Sequence, residues 1–262
     1  MATPQRLVFG DVAELYDRSR PSYPDALIDD VIAAAPLREG GRALEVGAGT
    51  GKATRLFARR GVPVLAIEPS PGMAAVARRN LASFADVEII ESDFERWDPA
   101  GERFALLYSA QAWHWIDSEV RFARARTALR PGGLLAAFWN IPTWQSGPLR
   151  DALSEVYRRV APGMPADRPM HPDNRLTADD EDWLDEVAGA DEFDDAEVRI
   201  YRYSLDYSAQ EYTGLLATLS DVAMLDEPTR ARLLAEVGDA IDAHGGTLVM
   251  PMITAGCLAR AV

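Results

Sequence analysis

The sequence predicts an α/β fold, a mostly parallel sheet with helices on both faces. Three observations lead there. Between residues 43 and 140, short apolar stretches alternate with helical ones. The apolar stretches lack the polar alternation of a half-exposed sheet, so they read as strands buried on both faces. The first of them ends in Gly47, Gly49 and Gly51, which open directly into an amphipathic segment.

Residues 43–46 (ALEV) read as the first strand, and residues 54–60 as a helix that Gly61 ends in the C′ position. Residues 62–68 are the second strand, followed by a turn and helix over 69–84. Residues 87–93 and 104–110 are the third and fourth strands. A helix over 118–133 ends in Pro-Gly-Gly, and residues 134–140 form the fifth strand. The pattern then changes. Residues 143–190 read as loop and helix, with breakers at Pro148, Pro162, Pro165, Pro169 and Pro172. Residues 196–208 alternate as a long strand, two helices follow near 210–225 and 228–244, and residues 247–260 form a last apolar strand. These two late strands suggest an antiparallel pair at one edge of the sheet. The acidic run over 179–197 reads as a solvated face.

The 262 residues are 48% hydrophobic and 26% charged, enough to bury a sizeable core. The formal net charge is −14. An acidic surface repels phosphate backbones and anionic lipids, so neither nucleic acid nor a membrane is an expected partner. Cys257 is the single cysteine, which excludes an internal disulfide and fits a reducing cytoplasm. No basic-then-apolar leader opens the chain, and no apolar run reaches the ~18 residues of a membrane span. A cytoplasmic monomer or homodimer is expected. Lys52 is the single lysine.

The glycine loop narrows the ligand. A triphosphate-binding loop needs G-x-x-x-x-G-K-[ST]. Gly51 and Lys52 fit, but Val46 stands where the first glycine belongs and Ala53 where the hydroxyl belongs. A dinucleotide fingerprint needs G-x-G-x-x-G, and Lys52 occupies its third glycine position. Glu45, two residues before Gly47, would also oppose a pyrophosphate at the helix N-terminus. A ligand with positive charge and no phosphate suits it better. S-adenosylmethionine is such a ligand, with a sulfonium, an ammonium, a ribose and an adenine. Glu68 ends the second strand, where an acid accepts from ribose hydroxyls. Asp93 ends the third, where a carboxylate can accept from an adenine amino group beside the Phe94 backbone N–H.

The stretches LEVGAGTGKAT, AIEPSPGM, ESDFE, SAQAWHWID and ALRPGGLLAAFWN resemble the motif series of class I S-adenosylmethionine-dependent methyltransferases. The similarity is greatest to the methyltransferase type 11 branch, with its trans-aconitate methyltransferase-like enzymes. The opening FGDVAELYDRSRPSYP resembles that branch's N-terminal segment. The resemblance covers residues 9–140; beyond them only the general layout is similar. It implies a Rossmann-like sheet of seven strands, mostly parallel with an antiparallel last strand, and a helical substrate cover. One domain over 1–262 would comprise an N-terminal cover segment (1–35), a cofactor-binding core (36–140), a variable cover insertion (141–195), and C-terminal strands with inserted helices (196–262). The implied reaction is in-line methyl transfer to a small-molecule acceptor, with S-adenosylhomocysteine as product and no metal. By the same resemblance Glu45, Gly47, Gly49 and Gly51 match the first motif, Glu68 the ribose acid and Asp93 the adenine-side acid. Met73 matches a position that packs on adenine, and Phe94 and Ser109 join the cofactor set.

Other residues keep two readings. Trp113, Trp115, Trp139 and Trp144 cluster near the ends of the fourth and fifth strands, as acceptor contacts or as packing. They favour a compact, partly apolar or aromatic acceptor. His114 is a general base, a substrate contact or a structural hydrogen bonder. Tyr16, Arg20 and Tyr23 lie in the segment expected to close over the cofactor. Arg20 pairs a ligand carboxylate or a surface acid. His171 and His244 show no metal spacing, and Cys257 reads as a buried thiol. The alternatives to methyl transfer are a non-catalytic S-adenosylmethionine-binding module and, with less support from the loop spacing, a nicotinamide-dependent oxidoreductase.

Overall fold

The computed structural model describes residues 13–37, 41–144, 146–164, 171–172, 176 and 178–262, with backbone alone for 171–172 and 178–181. The first twelve residues, the prolines at 165 and 169, and the His171 side chain lie outside the described set. The strands are β1 (Ala43–Val46), β2 (Val64–Glu68), β3 (Val87–Glu91), β4 (Phe104–Ala110), β5 (Leu129–Trp144), β6 (His171–Pro172), β7 (Phe193–Ser208) and β8 (Thr247–Ala261). Seven of them form one sheet in the order β3-β2-β1-β4-β5-β8-β7, and β6 pairs with the far end of β5. The first five pair in parallel. β8 runs antiparallel to both β5 and β7. The expected mostly parallel sheet with an antiparallel last strand is therefore the observed one.

β1, β2 and β4 are buried at every position, as strands covered on both faces must be. Alternate residues feed two cores. Leu44, Val46, Ile67, Leu107 and Leu135 enter one. Ala43, Ala66, Leu106, Tyr108 and Phe138 enter the other, with Leu27, Ile28 and Phe57 from the helices. A third cluster packs α6 (Pro148–Val160), α8 (Ala209–Ala217) and α10 (Glu227–Ala243) on the Leu248, Met250 and Met252 end of β8.

Two local readings are corrected. The helix expected to reach Gly133 is α5 (Arg121–Ala128). Leu129 already pairs with Phe104, and Pro131, Gly132 and Gly133 are carried inside β5 where its register against β4 shifts. The acidic run is more than a solvated face. It contains α7 (Ala178–Ala188), in which Leu184 and Val187 are buried three residues apart; Phe193, at the start of β7, joins the same core. Acidic side chains between them conceal that apolar stripe in the sequence.

The N-terminal cover is pinned in place. α1 (Ala13–Ser19) crosses α8 at Gly214, where an added Cβ would lie 3.1 Å from the Ser19 hydroxyl. Arg20, just past α1, donates through Nε to the Thr218 hydroxyl at 2.9 Å and through Nη2 to its carbonyl at 3.0 Å. Glu14 pairs with Arg79 of α4 (Pro71–Asn80) on the other side. The chain leaves β1 toward β2 and β3 and then returns to β4 on the opposite flank. This reversal opens a crevice outside the C-terminal ends of β1 and β4, where open α/β sheets bind ligands.

Candidate functional site

Two adjoining crevices occupy that position. The first is lined by Ile67, Glu68, Met73, Asp93, Phe94 and Trp115. The second is lined by Arg20, Tyr23, Glu45, Lys52, Asn140 and an apolar wall. They share Tyr16, Gly47, Gly49, Ala110 and Gln111. The glycine loop thus forms the partition between them.

Two loop glycines have different duties. Gly47 has φ +78°, and a Cβ there would fall 2.3 Å from the Ala112 Cβ. Protein packing demands its bareness. Gly49 has φ +57°, but its added Cβ would meet nothing within 4 Å. It opens onto both crevices, the arrangement for close approach of a ligand to backbone. The loop is tied to β2 because Gly47 and Ala48 both donate to the Ile67 carbonyl.

Glu45 lies fully buried at the centre of β1. Its Oε2 accepts from the Thr54 hydroxyl at 2.5 Å and from Tyr108, its register neighbour on β4, at 2.8 Å. Its Oε1 is buried without a hydrogen-bond partner among the described residues. Burial raises the carboxyl to about 8, against the two hydrogen bonds that lower it and with Glu68 adding to the rise. Glu68 is nearly buried as well. It accepts from the Gly49 N–H and the Ser70 N–H, each at 2.8 Å. Burial raises its pKa and those two bonds oppose the rise. Lys52 follows the loop and faces the second crevice; burial lowers its pKa, with Asp17 working the other way.

Gln111 ends β4 with φ +60°, uncommon for a residue with a Cβ. Its amide nitrogen donates to the Asn140 carbonyl at 3.1 Å, and its amide oxygen accepts from the Asn140 N–H at 3.2 Å. That reciprocal clamp holds the strained turn on the partition.

The expected aromatic acceptor site does not assemble. Trp113, Trp139 and Trp144 are buried in cores, and none lines either crevice. Trp115 faces the first crevice. Ser109 is buried, and its hydroxyl donates to the Val46 carbonyl at 2.9 Å, tying β4 to β1 away from the crevice. The general-base reading of His114 is corrected too. Its Nδ1 accepts from the Trp139 indole at 3.1 Å, so the neutral ring carries its proton on Nε2 and keeps no free lone pair. The ring stacks on Trp183 at 5.0 Å and 8°. Burial, aided by Arg121, lowers its pKa to about 4. His114 is a packing residue that docks α7. Sequence reasoning missed Trp183, although its position beside Leu184 and before Val187 marks the buried stripe. It also missed Gln111, Asn140 and the apolar wall, which no local motif announces, and it gave no role to Lys52, which the glycine motif itself contains. Among the described residues no group of three or more His, Cys, Asp or Glu converges as a metal site, and no helix is long and apolar enough to cross a membrane.

Gly47→Ala should destabilise the fold clearly more than Gly49→Ala. Both place a Cβ at positive φ, which costs about 1–2 kcal/mol, but only the first also meets a neighbour. Equal losses in urea midpoint would contradict the packing role of Gly47. Glu45 and His114 set a pH dependence of opposite signs. Between 4.5 and about 8 the native state keeps the Glu45 proton that the unfolded chain has lost, so stability falls as pH rises. His114 stays neutral when folded, so stability falls as pH drops from 6.5 toward about 4. Above pH 6.5 the His114 contribution fades and the Glu45 slope dominates, at most ~1.4 kcal/mol per pH unit and declining as pH nears 8. Urea titrations of Glu45→Gln from pH 6.5 to 8 should show that slope removed; an unaltered slope would mean that Glu45 is ionised in the fold.

Comparison with known proteins agrees with this geometry. Residues 43–133 match the family described as a methyltransferase domain. An uncharacterized methyltransferase of Mycobacterium tuberculosis (strain ATCC 25618 / H37Rv) is 38% identical over 157 residues, 58% of this chain and 60% of that protein. A trans-aconitate 2-methyltransferase of Variovorax paradoxus is 34% identical over 123 residues, 46% of this chain and 44% of that protein. The chain thus aligns with 60% or less of these relatives' lengths. The solved structure of a candidate type II methyltransferase from Anaeromyxobacter dehalogenans superposes with a TM-score of 0.67 at 25% identity, covering 92% of this chain and 97% of that one. Residues 43–133 are thus similar to a methyltransferase domain, and the chain as a whole has the Rossmann-like fold of methyltransferases.

Proposed function

We propose that this protein transfers a methyl group from S-adenosylmethionine to a small-molecule acceptor. The observation that carries the reading is the set of three acids, Glu45, Glu68 and Asp93, that line the crevices around Gly49. Such a rim repels a phosphate and suits a cation bearing a ribose and an adenine. The residues present fit that ligand. The unpartnered Glu45 oxygen suits an ammonium, and Lys52 with the remaining N–H groups of Arg20 suits a carboxylate. Glu68 retains lone pairs for ribose hydroxyls beyond its two backbone bonds. Asp93 and the Phe94 N–H suit an adenine edge, with Ile67 and Met73 as apolar walls.

S-adenosylmethionine, when bound, supplies a methyl group on an activated sulfonium that an acceptor nucleophile displaces in line, leaving S-adenosylhomocysteine. The protein's share is then positioning and exclusion of water. α1 closes the site from above, and Gln111 holds the partition between the two crevices. The methyltransferase relatives support a transferase, and the trans-aconitate enzyme among them supports a small acceptor. The acidic surface supports work in the cytoplasm without nucleic acid or membrane, as a monomer or homodimer.

Glu68→Ala should weaken S-adenosylmethionine binding by about 1.5–3 kcal/mol, the range for hydrogen bonds to a charged group. Unchanged affinity in calorimetry of the folded variant would remove Glu68 from the ribose. Glu45 adds a second signature. Held near 8 in the free protein, it is mostly protonated at pH 7, and an ammonium docking beside it favours the ionised form. Binding at pH 7 should therefore release about one proton, seen as a heat that varies with buffer ionisation enthalpy and shrinks as pH rises above 8. Glu45→Gln should release none. Wild-type release from that variant would place the ammonium elsewhere.

A further inference from the structure

The second crevice has a far wall that the donor does not need. It consists of Pro142, Leu215, Leu219, Met250 and Met252, with Tyr23 beside them. The neighbouring amides are already engaged. The Asn140 Oδ1 accepts from Thr254 at 2.6 Å and from Tyr203 at 3.2 Å, and its Nδ2 donates to the Ser22 carbonyl at 3.0 Å. Both ends of the Gln111 amide are held by the Asn140 backbone. The Tyr23 hydroxyl makes no hydrogen bond among the described residues, while its ring is fixed edge-on against Phe138 at 5.0 Å. Burial pushes this phenol well above its usual range, so it stays a neutral donor. Of the cations that line the crevice among the described residues, Arg20 is held through Nε and Nη2 on Thr218, next to Leu219, and Lys52 follows the glycine loop.

We propose that this wall is the acceptor chamber, and that with the donor bound it takes a neutral, largely apolar acceptor whose nucleophilic oxygen or nitrogen meets the Tyr23 hydroxyl. The inference rests on the methyl-transfer reading. A carboxylate entering the chamber would lose water against leucine and methionine, and Arg20, the cation beside that wall among the described residues, already commits two of its nitrogens to Thr218. The two methionines are soft and conformationally adaptable, so planar or branched bodies fit the same wall. The aromatic site expected among the tryptophans is thereby replaced by an aliphatic one across the partition.

β-Naphthol and β-naphthoate share a ring system and differ in charge, and calorimetry on the full chain tests them against each other. The protein is first saturated with S-adenosylhomocysteine. Failure at this step overturns the methyl-transfer reading, and this inference falls with it. On the loaded protein β-naphthol should bind about tenfold or more tightly than β-naphthoate, the loss expected when a desolvated carboxylate has no partner. Leu219 is half-buried and precedes the short helix α9 (Ser220–Ala223) without capping it through its side chain, so the uncharged Leu219→Ala should fold. It should weaken β-naphthol about tenfold through lost apolar contact and leave S-adenosylhomocysteine affinity unchanged. Tyr23→Phe, which breaks no internal hydrogen bond, should weaken β-naphthol by roughly threefold to tenfold. With S-adenosylhomocysteine bound normally, three results overturn the chamber and leave the donor site standing: no β-naphthol binding, equal or tighter β-naphthoate binding, or β-naphthol affinity indifferent to both substitutions.

Discussion

A carboxylate buried in the middle of the sheet, with one oxygen unbonded, is the constraint around which the site is arranged. Removing a carboxyl group from water is unfavourable unless it is hydrogen-bonded, paired or protonated, so Glu45 is a costly residue to place at the centre of β1. The protein builds a holder for it. Thr54 from α3 (Lys52–Ala58) and Tyr108 from β4 both donate to one oxygen. The other oxygen has no hydrogen-bond partner among the described residues. A group kept at such a disadvantage beside a glycine loop supports the binding role we propose for it.

The rest of the crevice is arranged around that carboxyl group. The loop that covers it needs left-handed backbone at Gly47 and Gly49, one for packing against Ala112 and one for open access. Glu68 on β2 braces the loop through the Gly49 N–H, so the same acid that lines the first crevice also shapes the partition. Gln111 completes that partition from β4 in a strained turn, which persists because both ends of its amide are anchored on Asn140. Asn140 in turn joins β5 to β8 and β7 through Thr254 and Tyr203. A chain of hydrogen bonds therefore connects the glycine loop's rim to the antiparallel edge of the sheet, and the second crevice is built where they meet.

What the sequence disclosed and what it concealed divide along a physical line. Strands buried on both faces announce themselves as apolar runs, and a glycine loop with acids at successive strand ends is local in the chain. The sheet was legible for that reason, and so was the gathering of Glu45, Gly49, Glu68, Met73 and Asp93 around one pair of crevices, to which we assign the donor only as a proposal. The acceptor side is not local. Leu215, Leu219, Met250 and Met252 come from α8, its C-terminal turn and β8, and meet Tyr23 and Asn140 only through the fold. Four tryptophans near two strand ends suggested a binding surface, but three of them fill cores, because large apolar rings beside a buried sheet are first of all core material. His114 misled for a related reason. A histidine near a crevice reads as a base until its lone pair is found accepting from Trp139.

The central claim is that the acid-rimmed glycine loop holds a phosphate-free, positively charged nucleoside. Calorimetric titration of the protein with S-adenosylmethionine and NADH, side by side in one buffer, tests it most directly. The account predicts saturable single-site heat with S-adenosylmethionine and none with NADH, whose pyrophosphate would face Glu45 and Glu68. Saturable binding of NADH with no response to S-adenosylmethionine would contradict it.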